Sequence, residues 1–313
     1  MLSAMRRPLF LFLTLLGLAG PPVAAAEAGA WEPLPDGTAT VVLATGGDAG
    51  FIKPKGCQGR MGGALYRPAF TAWLRSAEPG AHPLWVSTGN LVDPTLEDLV
   101  SLPEMIAFYG TVPYAAVAVG MSDLAAVGAE GIAALAKSTP FPLLAANLRV
   151  LETGRPLVEE AAVFDSPSGK IAFIGVIAHD RSAAWGGPRT GTVVTVDPRE
   201  VVPALVAQLK AEGARVVLVS NAGYTDLAEL LRAAPGVDAA VASSGSTISA
   251  KPEAGFAAPT LWVGQLGQQL ARLALDRSGA LLEASSQTVA GAFPIDPLTG
   301  NPATVLPAPG TAR

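Results

Sequence analysis

The sequence predicts a layered α/β domain, and three observations support this prediction. Half of the 313 residues are hydrophobic and only 15% are charged, which indicates a large buried core. Most of the short apolar runs are continuously apolar, as is typical of strands buried on both faces. Segments with helical spacing lie between these runs, and such alternation favours a sheet covered by helices.

Eight apolar runs predict the strands. They are residues 39–44, 84–87, 115–119, 143–145, 171–177, 216–219, 239–241 and 260–263.

Five segments predict the helices between them. Asp197 and Pro198 supply an N-cap and a first-turn proline, and Gly213 ends the same helix. The predicted helices are residues 64–75, 95–108, 129–137, 198–212 and 225–234.

The N-terminus predicts a secretory signal peptide over residues 1–26. Arg6 and Arg7 precede an apolar run at residues 8–18, and the small residues 24–26 follow two prolines. A bilayer span needs about 20 apolar residues, so an uncleaved anchor is the less favoured alternative. No cysteine follows the run, which argues against a lipid anchor. We therefore expect a periplasmic or secreted protein with no membrane attachment after cleavage.

Composition divides the remaining chain and excludes one class of partner. We predict a linker at residues 27–38, a single domain at 39–290 and a Pro/Gly-rich disordered tail at 291–313. Cleavage of the signal peptide would leave 19 basic and 26 acidic residues, a net charge near −7. An acidic chain lacks the basic surface that nucleic acids require. The single cysteine, Cys57, excludes a disulfide framework within the chain.

The loops after the predicted strands are where an open α/β sheet places its ligands. Five of these loops carry small and polar residues in a recognisable order. They read TGGDAG at 45–50, STGN at 87–90, GMSD at 120–123, SNAG at 220–223 and ASSGST at 242–247.

These loops resemble those of the N-terminal domain of periplasmic 5′-nucleotidases and UDP-sugar hydrolases, a branch of the calcineurin-like metallophosphoesterases. That family has T-N-D-x-H-G, D-A-G-D, G-N-H-E-F-D, S-H-x-G and G-G-H-S-H-T in the same order, with matching spacing from about residue 40 to residue 276. The resemblance implies a four-layer α/β/β/α sandwich of two mixed sheets flanked by helices. It also implies a site with two divalent metal ions that activates water against a phosphate ester.

The metal-ligand positions of the family are largely replaced in this chain. Only Asp48, Asn90, Asp123 and Asn221 offer an amide or carboxylate oxygen, and neither His82 nor His179 falls in a motif loop. The degenerate positions are Gly47, Asp48, Ala49, Ser87, Asn90, Met121, Ser122, Asp123, Asn221, Ser244 and Ser246.

These replacements predict an exported protein that binds a small molecule or an exported protein partner without catalysis. No metal or other cofactor is expected, because a dinuclear site needs several deprotonated ligands. The alternative is a weakened phosphoesterase or 5′-nucleotidase that uses Mn, Zn, Mg or Ca through the four oxygen-bearing residues.

A third hypothesis concerns the loop that contains Cys57. This loop resembles that of a bacterial subgroup with two cysteines, of which Lys55 replaces the first. Nearby Lys53, Lys55 and Arg60 would lower the pKa of the thiol and favour a reactive or redox role. The alternative is an inert, packed cysteine, and labelling of the native thiol over a pH series distinguishes the two.

Overall fold

The structure is a computed structural model and describes residues 32–53, 62–96, 99–179 and 192–289. The predicted signal peptide, the predicted tail and Cys57 lie outside these ranges. The strands are β1 (Thr40–Thr45), β2 (His82–Ser87), β3 (Tyr114–Ala118), β4 (Leu143–Leu144), β5 (Leu148–Val150), β6 (Ala161–Ser166), β7 (Gly169–Val176), β8 (Val193–Thr195), β9 (Arg215–Ser220), β10 (Ala239–Ala242), β11 (Thr260–Trp262), β12 (Gln269–Leu275) and β13 (Leu281–Thr288). The helices are α1 (Arg67–Ala77), α2 (Leu102–Tyr109), α3 (Met121–Ser138), α4 (Pro198–Ala211) and α5 (Tyr224–Ala233).

Two mixed sheets form the centre of the domain. The first has the strand order β13-β12-β1-β2-β3-β4. In it β1 to β4 are parallel, and β12 is antiparallel to both of its neighbours, β1 and β13. The second has the order β11-β10-β9-β7-β6, and only β6 is antiparallel. A short ribbon pairs β5 with β8.

Alternation of apolar residues along the strands builds three cores. In β1, Val42 and Ala44 point into the core between the sheets, whereas Val41 and Leu43 pack among residues of α1 and α2. The second sheet follows the same rule, because Phe173 faces the first sheet and Ile174 packs among residues of α4 and α5. The result is the predicted four-layer α/β/β/α sandwich.

The helix boundaries differ from those predicted, for local reasons. α1 begins at Arg67, three residues late, because Pro68 occupies its first turn. α2 begins only at Leu102, since the Ser101 backbone N–H and hydroxyl both donate to Glu104 in a capping box. α3 is twice as long as predicted and is kinked at Gly128, whose φ is +69°.

Five strands were absent from the prediction: β5, β6, β8, β12 and β13. β12 carries Arg272 in its middle, and five of the eight residues of β13 are polar. Arg272 is buried because Glu283 and Ser285 of β13 accept hydrogen bonds from its guanidinium at 2.8 and 2.9 Å. None of the described helices has the length and apolarity that crossing a bilayer requires.

Candidate functional site

A cavity of about 320 Å³ lies where the predicted loops converge, beyond the carboxyl ends of β1, β2, β3, β10 and β11. It is open to solvent on one side and extends along the N-terminal part of α3. Five of the degenerate motif positions line it: Gly47, Ala49, Asn90, Met121 and Ser122. The cavity is therefore the candidate site, and four of the five motif loops contribute to its lining.

Asp48 points away from this cavity and is held by Arg67. The guanidinium Nη1 and Nη2 atoms donate to the two carboxylate oxygens at 2.8 and 2.6 Å, and both side chains are fully buried. The Tyr109 hydroxyl also donates to Asp48. A carboxylate with a bidentate guanidinium and a phenol has little capacity left for a metal ion.

A buried tyrosine cluster completes the surroundings of this ion pair. Arg67 Nη1 donates to the Tyr114 hydroxyl at 2.8 Å, and the Tyr109 and Tyr114 rings stack at 4.3 Å. Burial would lower the pKa of Arg67, but Asp48 and the tyrosines raise it well above its usual value. Burial and the Asp48 charge raise the pKa of Tyr109. The sequence contained no local signal for this pairing, because Arg67 lies 19 residues from Asp48.

The loop that follows β11 occupies the space beside Gly47. Gly47 has a φ of +60°, and a Cβ atom there would lie 3.0 Å from the Gly264 carbonyl oxygen and 3.2 Å from Gln265 Cα. The Gly47 carbonyl accepts a hydrogen bond from the Leu266 N–H at 2.5 Å. Both the backbone conformation and the neighbouring backbone therefore disfavour an acidic side chain at this position.

Asn90 is the one oxygen-bearing motif residue among the four that lines the cavity. Its backbone has a φ of +53°, which is uncommon for a residue other than glycine. Its Oδ1 accepts hydrogen bonds from the Ser122 hydroxyl at 3.0 Å and the Ser122 N–H at 3.3 Å. Met121 and Ala49, at positions where the family has ligands, contribute apolar surface instead.

Asp123 turns back into the start of α3. Its carboxylate accepts from the N–H groups of Leu91 at 2.7 Å, Val92 at 3.2 Å and Gly120 at 2.9 Å. Burial raises the pKa of Asp123 to about 7, and the N–H donors oppose this rise. This carboxylate holds the second motif loop against the helix.

Asn221 joins the two sheets. Its Nδ2 donates to the carbonyls of Thr88 at 3.1 Å and Val119 at 3.0 Å, and its Oδ1 accepts from Ala178 N–H at 2.9 Å. Those carbonyls follow β2 and β3 of the first sheet, whereas Ala178 follows β7 of the second. The amide is thus fully engaged with backbone groups.

The serine positions also form contacts within the protein or lie at its surface. Ser87 Oγ lies 3.2 Å from the Tyr109 hydroxyl, while Ser244 is half-buried and Ser246 is exposed. His82 is exposed, and His179 Nδ1 lies 3.2 Å from Thr195 Oγ1.

The donor set of the described residues does not fit a pair of divalent ions. No group of three or more His, Cys, Asp or Glu side chains suited to a metal ion occurs in the described ranges. Neither Ser122 nor Ser243 of the cavity hydrogen-bonds to a histidine or carboxylate there, so neither hydroxyl has a base. The described lining consists of amides, hydroxyls and apolar surface, together with the carboxylate of Asp93.

Known proteins share this fold. A 5′-nucleotidase of Vibrio cholerae is 32% identical over 98 residues, which are 31% of this chain and 18% of that protein. No family model matches the chain.

Solved structures match over most of the described domain. The 5′-nucleotidase precursor of Thermus thermophilus superposes with a TM-score of 0.60 at 20% identity, covering 79% of this chain and 54% of that one. The sulfate thiohydrolase SoxB of Thermus thermophilus superposes with a TM-score of 0.69 at 17% identity, and the match covers 83% of this chain and 58% of the SoxB chain. The calcineurin-like phosphoesterase YfkN of Bacillus subtilis superposes with a TM-score of 0.66 at 17% identity, and the match covers 80% of this chain and 91% of the YfkN chain.

The chain thus spans a fifth to three fifths of the two 5′-nucleotidases and SoxB, and most of the YfkN chain. These likenesses confirm the resemblance seen in the loops: the chain has the fold of the calcineurin-like metallophosphoesterases, in the form found in the N-terminal domain of 5′-nucleotidases.

Proposed function

We propose that this chain is an exported protein that keeps the 5′-nucleotidase-like scaffold, has lost the dinuclear metal site, and binds a small molecule or protein partner without hydrolysing it. The observation that carries the proposal is the engagement of Asp48, Asp123 and Asn221. Arg67 holds the first, and backbone groups hold the other two. Asn90 alone remains at the cavity.

The alternative is a phosphoesterase with a weakened metal site. The names of the relatives favour it, because they include 5′-nucleotidases and a calcineurin-like phosphoesterase. It would require Asp48 to leave Arg67, which would strand a buried cation at a cost of several kcal/mol. This cost is the reason we rank it second.

Metal analysis and an activity assay distinguish the two functions. We expect purified protein to contain far less than one equivalent of Mn, Zn, Mg or Ca, and to hydrolyse neither 5′-AMP nor p-nitrophenyl phosphate when Mn²⁺ is added. The matched variant is Asn90→Gly, which removes the amide yet tolerates the positive φ.

Stoichiometric metal together with turnover that Asn90→Gly abolishes would overturn the proposal. Turnover that is equal in wild type and Asn90→Gly identifies a contaminating hydrolase. The metal content of the purified protein then distinguishes the two functions.

Export is a separate part of the proposal. The signal-peptide pattern supports it, as does the description of the Thermus relative as a precursor. Mass spectrometry of the N-terminal peptide from the periplasmic fraction should find a chain that starts at Glu27. An intact N-terminus, or protein confined to the cytosol, would contradict it.

A further inference from the structure

The charge of the cavity limits what it can bind. Among the described residues that line the cavity, Asp93 carries the only charged side chain, and none is a Lys, Arg or His. The guanidinium of Arg67, beside the first motif loop, is already paired with Asp48. A phosphate group would therefore lose its water without gaining a cation and would face a carboxylate.

Three lining side chains have N–H or O–H groups available to donate hydrogen bonds. Asn90 Oδ1 is occupied by Ser122, which leaves the Asn90 NH₂ group without a partner in the described part of the chain. Ser243 Oγ accepts from Thr88 Oγ1 at 2.7 Å, so the Ser243 hydroxyl hydrogen is free to donate. Gln265 contributes a second amide at the solvent-exposed edge. These groups match uncharged oxygen or nitrogen acceptors.

The remaining wall is apolar. Ala49, Val92, Pro94, Met121 and Ala125 contribute hydrocarbon or thioether surface. A volume of about 320 Å³ lies at the lower end of the range for small-molecule sites. Asp93 does not favour a cation strongly, because its Oδ1 already accepts from the Thr95 N–H and hydroxyl at 2.9 and 2.6 Å in an exposed turn.

We propose that the cavity binds a small uncharged organic molecule that has an apolar face and accepts hydrogen bonds, and that it rejects the phosphorylated form of the same molecule. This inference rests on the proposed function, since a metal pair would reverse the preference for charge.

Ligand-observed NMR with a fragment set tests the inference. The set contains uncharged, anionic and cationic fragments in equal numbers, with nucleosides and sugars paired with their phosphate monoesters. The protein is kept in EDTA. Met121→Trp and Ala125→Leu each fill the cavity, and Leu151→Trp adds bulk at a residue that is 61% exposed and does not line the cavity. Thermal unfolding identifies any variant that does not fold.

We expect uncharged fragments to predominate among those whose binding is lost in Met121→Trp and Ala125→Leu and kept in Leu151→Trp. A phosphate monoester should bind at least about tenfold more weakly than its uncharged partner, a difference of about 1.4 kcal/mol. A predominance of anionic or cationic fragments overturns the inference, as does the absence of any uncharged fragment that depends on the cavity.

The metal condition separates the two proposals. Phosphate monoesters that bind in EDTA overturn the inference and leave the proposed loss of the metal site intact. Phosphate monoesters that bind only after Mn²⁺ is added contradict the proposed function itself.

Discussion

At the scale of single residues, Asp48, Asp123 and Asn221 of the motif loops are engaged by other groups of the protein. Asp48 and Arg67 are the clearest case, because both are fully buried and two hydrogen bonds join them. Removing one member of a buried ion pair leaves an uncompensated charge, which costs more than the pair contributes.

We expect Arg67→Met to lower the free energy of unfolding by about 3–5 kcal/mol, because Asp48 would remain buried without its cation. The double variant Arg67→Met/Asp48→Leu should recover part of this loss. Urea denaturation of the two single variants and the double variant measures the coupling. Losses that simply add would show that the ion pair is energetically unimportant.

Asp123 gives the protein a pH dependence. Burial raises its pKa to about 7 in the folded state from 3.8 in the unfolded chain, so the folded state holds the proton more tightly. Its contribution to the free energy of unfolding is therefore complete when the pH is below 3.8, the pKa of the unfolded chain. That contribution is lost as the pH rises from there through about 7, the pKa of the folded state.

The measurement compares wild type with Asp123→Asn, which does not titrate. The difference in unfolding free energy, wild type minus variant, should fall as the pH rises from 3.8 to about 7. It should be flat above about pH 8. A difference that grows with pH would mean that the Leu91, Val92 and Gly120 N–H groups hold the carboxylate ionised.

At the scale of elements, the two sheets approach each other closely where β4 faces β7. A Cβ atom on Gly175 would lie 2.4 Å from Leu144 Cβ and 2.5 Å from the Leu144 carbonyl oxygen. The Ala146 N–H also donates to the Gly175 carbonyl at 2.7 Å. Backbone on both sides leaves no flexible group to move aside.

Gly175→Ala should therefore destabilise the domain by about 1–3 kcal/mol, the usual cost of overpacking. Gly80→Ala is the matched control, since a Cβ atom at Gly80 meets nothing within 4 Å. Equal urea midpoints for the two variants would show that the sheets can separate at this point.

The prediction from sequence succeeded for elements whose signal is local and failed for those whose burial depends on distant partners. The continuously apolar runs of β1, β7 and β9 lie within a residue or two of their predicted bounds. β12 and β13 were missed because Arg272 becomes a core residue only through its partners on β13. Asp48 was grouped with metal ligands for the same reason, since nothing near it in sequence identifies Arg67.

At the scale of the whole molecule, the domain holds together through its own side chains. Asn221 links β2 and β3 to the end of β7, and Thr88 Oγ1 donates to Ser243 across the same gap at 2.7 Å. These contacts connect the two sheets at the edge where the motif loops lie.

Metal removal should consequently leave stability unchanged. We expect the same thermal unfolding midpoint in buffer, in excess EDTA and with added Mn²⁺, because a ligand stabilises only the state that binds it. A midpoint that falls in EDTA and returns with Mn²⁺ would reveal a metal site that the described residues do not form.

The backbone contacts of Asn221 and Asp123 affect how mutational tolerance in this protein should be understood. A saturation screen scored by protein abundance would find both positions intolerant, and both lie in loops that match motif loops of the 5′-nucleotidase-like family. Sensitivity at these positions would therefore report folding and would imitate a conserved active centre. Tolerance at Met121, measured beside them, is the better indicator of what the cavity does.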